Sequence, residues 1–498
     1  MIGRATLALL LALPAAAGAE TAFRLGVQTH FEQGWSLNWV RRAADLGVTL
    51  VRDELDWAGI ETRPGQYDFA AADLYMQQLA QAGISVLLVE VGANPIYDGG
   101  TTVISADGRS ALSAYLQAVA RHYGDQLAGI EIGNEVNAGE STSGTFDTDP
   151  ARYLAGMAAA VPGGRLPDQP GYSCAGTNTV ALGFLRQFFL AGGLLACDAI
   201  SVHPYGVPPE TVDLHLDRLN ALMQELGGEK PIDATEFGQW TDRPEEAPAY
   251  LVKMVAVLAE SGVGTAIWYA LADEPWWPNM GLYSDDGSLK PAGRAYAFVQ
   301  ARLVPLGRPV ERSPSRAARI LAYGNPVQAI VAWGAGQPVT LGGDMQAFDA
   351  MGQPIALPDR LGDAPVILLG RDISVDLAGP PVAESLFQFD QPPFSYFARR
   401  PGVGLTPLER RDWQWSSFRG APDLSPLSIT ANWVTTARFE GQPFSAVERF
   451  TATASGRYQV EGWWQSDGKS DPSLVILSQS GQEIGRGRTD GPALPLAR

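Results

Sequence analysis

The sequence predicts an α/β fold, a (β/α)8 TIM barrel followed by β-sandwich domains. Three observations carry that expectation. Strand-like apolar runs and helical patterns alternate eight times over roughly 280 residues, the size of such a barrel. After Val304 the text changes to short alternating runs separated by turn residues, which is all-β patterning. The runner-up, a doubly wound open sheet, wants a Gly-rich phosphate loop after the first strand, and Gly26-Val27-Gln28-Thr29-His30 does not supply one.

Candidate strands of the barrel fall at 24–31, 49–57, 85–91, 129–135, 172–178, 199–205, 232–237 and 265–270. Helical periodicity fills the gaps. It is clearest over 110–123, where Leu112, Tyr115, Leu116, Val119, Ala120 and Tyr123 share one 3.6-residue stripe. Further helices are expected over 37–45, 70–82, 214–226 and 248–260. Short alternating runs at 319–323, 327–333, 339–341, 347–349 and 366–369 then predict a small sandwich, and runs at 446–453, 457–464 and 473–478 a second β-rich segment. The chain therefore divides into a signal peptide at 1–19, a barrel at 20–303, a small β-sandwich at 304–378, a Pro-rich connector at 379–410 and a β-rich C-terminal domain at 411–498. The connector is read from Gly379-Pro380-Pro381 and Gln391-Pro392-Pro393.

Composition narrows the class. With 46% hydrophobic residues, 55 Gly and 36 Pro, a chain of 498 residues is globular and loop-rich, not disordered. A net charge of -18 argues against nucleic acid, which needs basic surface to replace counterions, and against anionic membranes. Arg4, the apolar run from Ala5 to Leu13 and the small-x-small Ala17-Gly18-Ala19 read as a cleaved export signal. That run is too short to span a bilayer and no later stretch is long enough, so an exported chain, periplasmic or secreted, beginning near Glu20 is expected. Cys174 and Cys197 lie in or beside consecutive predicted strands, so a disulfide and two free buried thiols both fit. No Cys/His cluster has zinc spacing, and neither metal nor cofactor is expected.

Active sites on this barrel form at the C-terminal ends of the strands. Those ends offer His30; Arg52, Asp53, Glu54, Asp56 and Trp57; Glu90; Asn134 and Glu135; His203 and Tyr205; Glu236; Trp268 and Tyr269. Two apolar runs stand out because each ends in glutamate: Ile130-Glu131-Ile132-Gly133-Asn134-Glu135 and Ile232-Asp233-Ala234-Thr235-Glu236. Paired carboxylates suit general acid/base and nucleophilic work, provided that their surroundings differ. Two solvated strand caps are the plainer alternative. Gly171-Tyr172-Ser173-Cys174-Ala175 falls one Gly short of a serine-hydrolase elbow, and there is neither a His-Glu-x-x-His motif nor a P-loop.

Glutamates closing the fourth and seventh strands resemble those of clan A retaining glycoside hydrolases. Val51-Arg52-Asp53-Glu54-Leu55-Asp56-Trp57, Gly65-Gln66-Tyr67-Asp68-Phe69 and Tyr123-Gly124-Asp125 are similar to glycoside hydrolase family 39 and its exopolysaccharide-processing relatives. His203-Pro204-Tyr205 and Thr235-Glu236-Phe237-Gly238 resemble the clan's sixth and seventh strands. The family commonly has Pro after its acid/base glutamate; Val136 stands there in this chain. The resemblance implies Glu135 as general acid/base and Glu236 as nucleophile, held ionised by Arg52. It implies that Asn134 bonds a sugar 2-hydroxyl, that Tyr205 donates to Glu236, and that His203 orients neighbours or touches substrate. Trp268 would floor the sugar site, with Trp57, Trp240, Trp276 and Trp277 as further platforms or core residues. Arg52 also reads as an ordinary rim ion pair and Asn134 as a turn residue. His122 and His215 read as surface. The substrate implied is a polysaccharide or oligosaccharide; the export signal, Trp240, Trp276 and Trp277 on the loops after strands seven and eight, and about two hundred β-rich residues past the barrel point to an extended one cut inside the chain. A transglycosylase and a non-catalytic polysaccharide-binding barrel are the alternatives, and the last hundred residues resemble a carbohydrate-binding module only in being β-rich with aromatics. The sequence points to no protein partner.

Overall fold

The structure is a computed structural model that describes residues 22–90, 93–138, 149–156, 161, 170–379, 383–439, 441–462, 464, 466 and 473–489. The export signal expected at 1–19 lies outside the described residues. Strands β1 (Arg24–Gln28), β2 (Leu50–Glu54), β3 (Ser85–Glu90), β4 (Leu127–Ile132), β5 (Tyr172–Asn178), β6 (Ala199–His203), β7 (Ile232–Phe237) and β8 (Thr265–Trp268) close a barrel in chain order. Neighbours are parallel throughout, and β8 pairs back onto β1. The strands read as near-continuous apolar runs because one face packs the barrel interior and the other meets helices. Leu50, Leu87 and Ile267 form an interior cluster, whereas Val51, Val86, Leu88, Ala266 and Trp268 belong to the core between barrel and helices.

The covering helices are α1 (Asn38–Asp45), α2 (Trp57–Ile60), α3 (Ala70–Gln81), α4 (Ala106–Tyr123), α5 (Pro150–Ala155), α6 (Leu182–Leu190), α7 (Gly193–Ala196), α8 (Val212–Glu225), α9 (Ala247–Glu260) and α10 (Pro291–Arg302). Helix α4 starts four residues before the periodic stripe signals it, because the Ser105 side chain accepts from the Gly108 amide and caps the end. Helices α6 and α10 complete the fifth and eighth βα units, where the sequence pattern marks no helix bounds. The α6 sequence, LGFLRQFFL, is a short apolar run, and periodicity does not separate such a run from a strand.

Cys174, on β5, and Cys197, just before β6, form a disulfide with Cα atoms 5.9 Å apart. The bridge closes a loop of 23 residues, which constrains the unfolded chain by about 3 kcal/mol. Cys197→Ser is expected to lower unfolding stability by about that amount, read from urea midpoints. A midpoint that fails to move on reduction of the parent protein would contradict it.

Beyond the barrel, β9 (Val310–Glu311), β10 (Ala318–Tyr323), β11 (Ala329–Gly334), β12 (Gln337–Phe348), β13 (Pro354–Ile355), β14 (Arg360–Leu361) and β15 (Val366–Leu377) form one antiparallel sheet. The long β12/β15 pair shifts register between Gly342 and Asp344, where Gly343 has φ +92°. Its two halves enclose a core that includes Ile320, Ile330, Ala332, Leu368 and Val375. Ion pairs seat the sandwich on α8 and α9: Arg316 and Arg319 reach Asp213 at 2.8 and 2.9 Å, and Lys253 reaches Asp363 at 2.9 Å.

The stretch expected as a connector, 379–410, contains two strands, β16 (Phe394–Arg400) and β17 (Gly404–Pro407). They join β18 (Glu409–Asp412), β19 (Ser417–Gly420), β20 (Ser428–Ile429), β21 (Val434–Thr435), β22 (Ala437–Phe439) and β23 (Gln442–Phe450) in a third unit. Strand β16 pairs β23 across some fifty residues, a non-local register that a Pro-rich composition conceals. Phe389, Tyr396, Leu424, Leu427, Ile429 and Phe444 are its core. The strand expected at 457–464 is absent among its described residues, whereas β24 (Leu474–Gln479) and β25 (Gln482–Arg488) pair with each other.

Candidate active site

The C-terminal mouth of the barrel is organised around one buried cation. Arg52, on β2, is 2% exposed. Its Nε donates to Glu131 Oε2 at 2.7 Å, Nη1 to Gln28 Oε1 at 2.7 Å and to Glu236 Oε1 at 2.5 Å, and Nη2 to Asn134 Oδ1 at 2.8 Å. A planar guanidinium serves this many acceptors at once; an ammonium has no such fork. Glu131, on β4, also accepts from Thr235 Oγ1 at 2.6 Å. Burial would raise the Glu131 carboxyl, but the Arg52 charge and then His203 hold it down at about 2. Arg52, expected as the cation beside Glu236 and grouped with the substrate-binding residues, is enclosed and bonds Glu236 and Asn134 directly, so it positions them and does not itself meet solvent.

Strand β4 ends at Ile132, and Glu135 stands three residues beyond it with φ +46°. The turn between them depends on Gly133, at φ +86°, where a Cβ would come 2.5 Å from Val136 Cγ1 and 3.1 Å from the Tyr153 ring. The sequence pattern cannot show that exit, which is why the predicted strand runs to Glu135. Glu135 Oε1 accepts from Asn178 Nδ2 at 2.9 Å, and His203 Nδ1 lies 3.2 Å from the same oxygen. Glu236, near the end of β7, accepts at Oε2 from the Tyr205 hydroxyl at 2.9 Å. One carboxylate oxygen of Glu135, one of Glu236 and a ring nitrogen of His203 all lie within 4.8 Å of one another. Among the described residues these three are the group that could share a metal ion, but the adjacent Arg52 guanidinium would repel a divalent cation.

His203 is fully buried and touches three carboxylates: Glu135 at 3.2 Å, Glu236 at 3.7 Å and Glu131 at 3.8 Å. Burial pulls its pKa down, but Glu236, Glu131 and Glu135 together carry it up to about 9. The ring is therefore an imidazolium at neutral pH, with Nδ1 donating to Glu135 and Nε2 facing Glu131 at 3.8 Å. A folded-state pKa above the unfolded value of 6.5 means that this contribution to stability is full below 6.5 and is lost as pH rises through about 9. Turnover is expected to fall on an alkaline limb near 9, and His203→Gln to abolish that limb in a pH–rate profile and to narrow the stability difference from the parent above it. A limb unchanged in the variant would assign it elsewhere.

Trp268 is not a floor for substrate. It is fully buried, donates from Nε1 to Met280 O at 3.0 Å and lies edge-on to Phe237 and Tyr250. Side chains alternate along a strand. Ile267 faces the barrel interior, so Trp268 faces the helices and Tyr269 returns to the mouth. Tyr269 is half-buried, edge-on to His30 at 5.8 Å, and burial followed by the Glu236 charge raises its pKa. Its hydroxyl bonds the Trp276 side chain. Trp277 stands exposed beside it, its amide donating to Glu274 O at 3.0 Å, and Trp240 is exposed on the loop after β7. Trp57 is core: its indole donates to Glu61 at 2.6 Å between Tyr97 and Tyr115. Asp53 ties β2 to the β1 loop by accepting from Thr29 Oγ1 and the Phe31 amide. His122 pairs Asp73 at 2.8 Å on the outside. His215, expected at the surface, is half-buried facing the third unit, and burial pushes its pKa down to about 4.

The residues that sequence reasoning passed over are Gln28, Glu131, Asn178 and Thr235. One signal was present: Glu131 sits between two isoleucines, and a charge inside an apolar strand demands a buried partner.

No family model matches the sequence, and no curated protein matches it. The fold is nonetheless shared with solved structures. A family 39 glycoside hydrolase from Bacteroides cellulosilyticus superposes with a TM-score of 0.55 at 19% identity, covering 70% of this chain and 81% of that one. A family 30 endoxylanase from Clostridium papyrosolvens gives 0.53 at 15% identity, covering 71% and 98%. A family 39 β-xylosidase from Caulobacter crescentus gives 0.51 at 16% identity, covering 72% and 98%. The chain thus has the barrel-plus-β-sandwich fold of these clan A glycoside hydrolases.

Proposed function

We propose that the protein is a retaining glycoside hydrolase that cleaves O-glycosidic bonds of an extracellular or periplasmic polysaccharide, or its oligosaccharides, by double displacement. The observation that carries this reading is the approach of Glu135 and Glu236, whose oxygens come within 4.8 Å. Retaining enzymes hold their carboxyls about 5–5.5 Å apart, whereas inverting ones need about 6.5–9.5 Å to admit water. Charge supports the division of labour. Two cations, Arg52 and the His203 imidazolium, face the three carboxyls of Glu131, Glu135 and Glu236; the Arg52 guanidinium bonds Glu131 and Glu236 directly, and the proton is assigned to Glu135. Glu236 attacks the anomeric carbon as the bond to the leaving oxygen breaks, and Glu135 gives that oxygen its proton. Glu135 then takes a proton from water, whose oxygen displaces Glu236. Asn134, fixed by Arg52, would meet the sugar 2-hydroxyl, and Tyr269 would stand where Trp268 was expected.

The mechanism predicts that the first-formed product keeps the anomeric configuration of the substrate, as followed by NMR. A fluorinated-sugar inhibitor should label Glu236. An inverted product, or a label on another residue, would remove the assignment.

A further inference from the structure

The third β unit is fastened beside Glu135 by its backbone. In the turn between β18 and β19, the Trp413 carbonyl accepts from the Gly183 amide at 3.3 Å and the Gln414 carbonyl from Asn137 Nδ2 at 3.1 Å. The Trp415 carbonyl accepts from Thr179 Oγ1. Asn137 in turn bonds Asn178, accepting from its amide at 2.8 Å and donating to its carbonyl at 3.1 Å, and the Asn178 side chain donates to Glu135. Two asparagines therefore separate the general acid from the third unit. The approach is close enough that a Cβ on Gly183 would meet the Trp413 carbonyl carbon at 2.7 Å. The turn is braced from within, because Asp412 accepts from Arg410 Nε at 2.9 Å and Ser417 Oγ at 2.8 Å.

The contacts are made by backbone, and the indoles are left out of them. Trp413, Trp415 and Trp433 are 62%, 36% and 52% exposed. A dock serving stability alone would bury such side chains, since each is a large apolar payload. Between the unit and the barrel lies a cavity of about 200 Å³, lined by Tyr205, Val207, Ser417, Thr430 and Asn432. Tyr205 is the residue that donates to Glu236, so this surface abuts the site from the sixth strand as well.

General acid catalysis fixes which half of a substrate must lie here. The acid reaches the glycosidic oxygen, so the departing sugar stands against Glu135 and not against Glu236. The exposed Trp240, Trp276 and Trp277 belong to the loops after β7 and β8, across the mouth. We propose that the third β unit builds the leaving-group side of the substrate cleft, with Trp415 and Trp433 as stacking platforms for the sugars released, so that the carbohydrate runs from the barrel onto β18–β21. This rests on the glycoside hydrolase reading above. It makes the unit part of the catalytic cleft and not a separately tethered binding module.

The test compares substrates with and without a leaving sugar. Glycosyl fluorides of xylose, glucose and mannose, as both anomers, and short oligosaccharides of the same sugars are assayed with the full chain. For any sugar that the parent cleaves, Trp415→Ala and Trp433→Ala are expected to lower the ratio of kcat/KM on oligosaccharide to kcat/KM on fluoride by about tenfold or more, the size of one good stacking contact. Trp415→Phe should restore most of the ratio. An unchanged ratio, or equal losses on both substrates, overturns the inference while leaving the glycosidase standing. A parent that cleaves neither substrate class overturns both.

Discussion

Replacing Glu135 with alanine is expected to cut turnover of substrates with poor leaving groups by about 10²–10⁴-fold, the usual worth of a positioned acid/base. The loss should be small when the leaving group needs no proton, because the first step then proceeds without help. The second step would remain slow, since no group draws the proton from water. Azide needs no deprotonation and fits where the carboxylate was, so it should restore turnover and yield a glycosyl azide of retained configuration. Glu236→Ala should behave differently: azide takes the place of the nucleophile itself, and its product is inverted. The two rescue products separate the roles more cleanly than the two rates. If the Glu236 variant gave the azide of retained configuration and the Glu135 variant the inverted one, the acid and nucleophile would have to be exchanged, even though Arg52 and Tyr205 both bond Glu236.

The barrel was legible because its signal is local. Each strand is a short apolar run and each helix a stripe, and all eight expected strands occur, differing mainly in where they end. The ends are where the chemistry lies, and there local pattern fails. Positive φ at Gly133 and Glu135 turns the chain out of β4 in a way that hydrophobicity does not encode. Trp268 and Tyr269 illustrate a second limit. Both are aromatic and adjacent, so residue type alone could not choose between them. The phase of the strand decides, and it is set by Ile267 packing on Leu50 and Leu87, a long-range contact. Glu135 and Glu236 were found because a carboxylate at a strand end is conspicuous. Their supports, Gln28, Asn178 and Thr235, carry no comparable mark. The β16–β23 pairing was missed for the same reason: its register spans residues that say nothing about each other until they meet.

Arg52→Leu should be the most destabilising single substitution in the mouth of the barrel. It removes the shared partner of Glu131 and Glu236 and leaves Glu131, which is fully buried, without its main counter-charge. Breaking a buried pair from one side typically costs about 3–5 kcal/mol. The pH dependence distinguishes this cause from a simple packing defect. In the parent the Glu131 carboxyl is held down at about 2 from an ordinary 4.5, so its contribution to stability is present above 4.5 and is lost as pH falls through about 2. The variant lacks most of that contribution at every pH. The gap between the urea midpoints of parent and variant should therefore be widest near neutrality and narrow as pH falls from 4.5 toward 2. A gap that stayed constant would mean that lost packing, not lost charge, is responsible. Arg52→Lys provides the control if the leucine variant does not fold. It keeps the charge but cannot span Glu131, Glu236 and Asn134 together, so it should recover much of the stability while activity stays low, because Glu236 and Asn134 are no longer held at one spacing. Recovery of stability and activity together would reduce Arg52 to a counter-ion with no part in positioning.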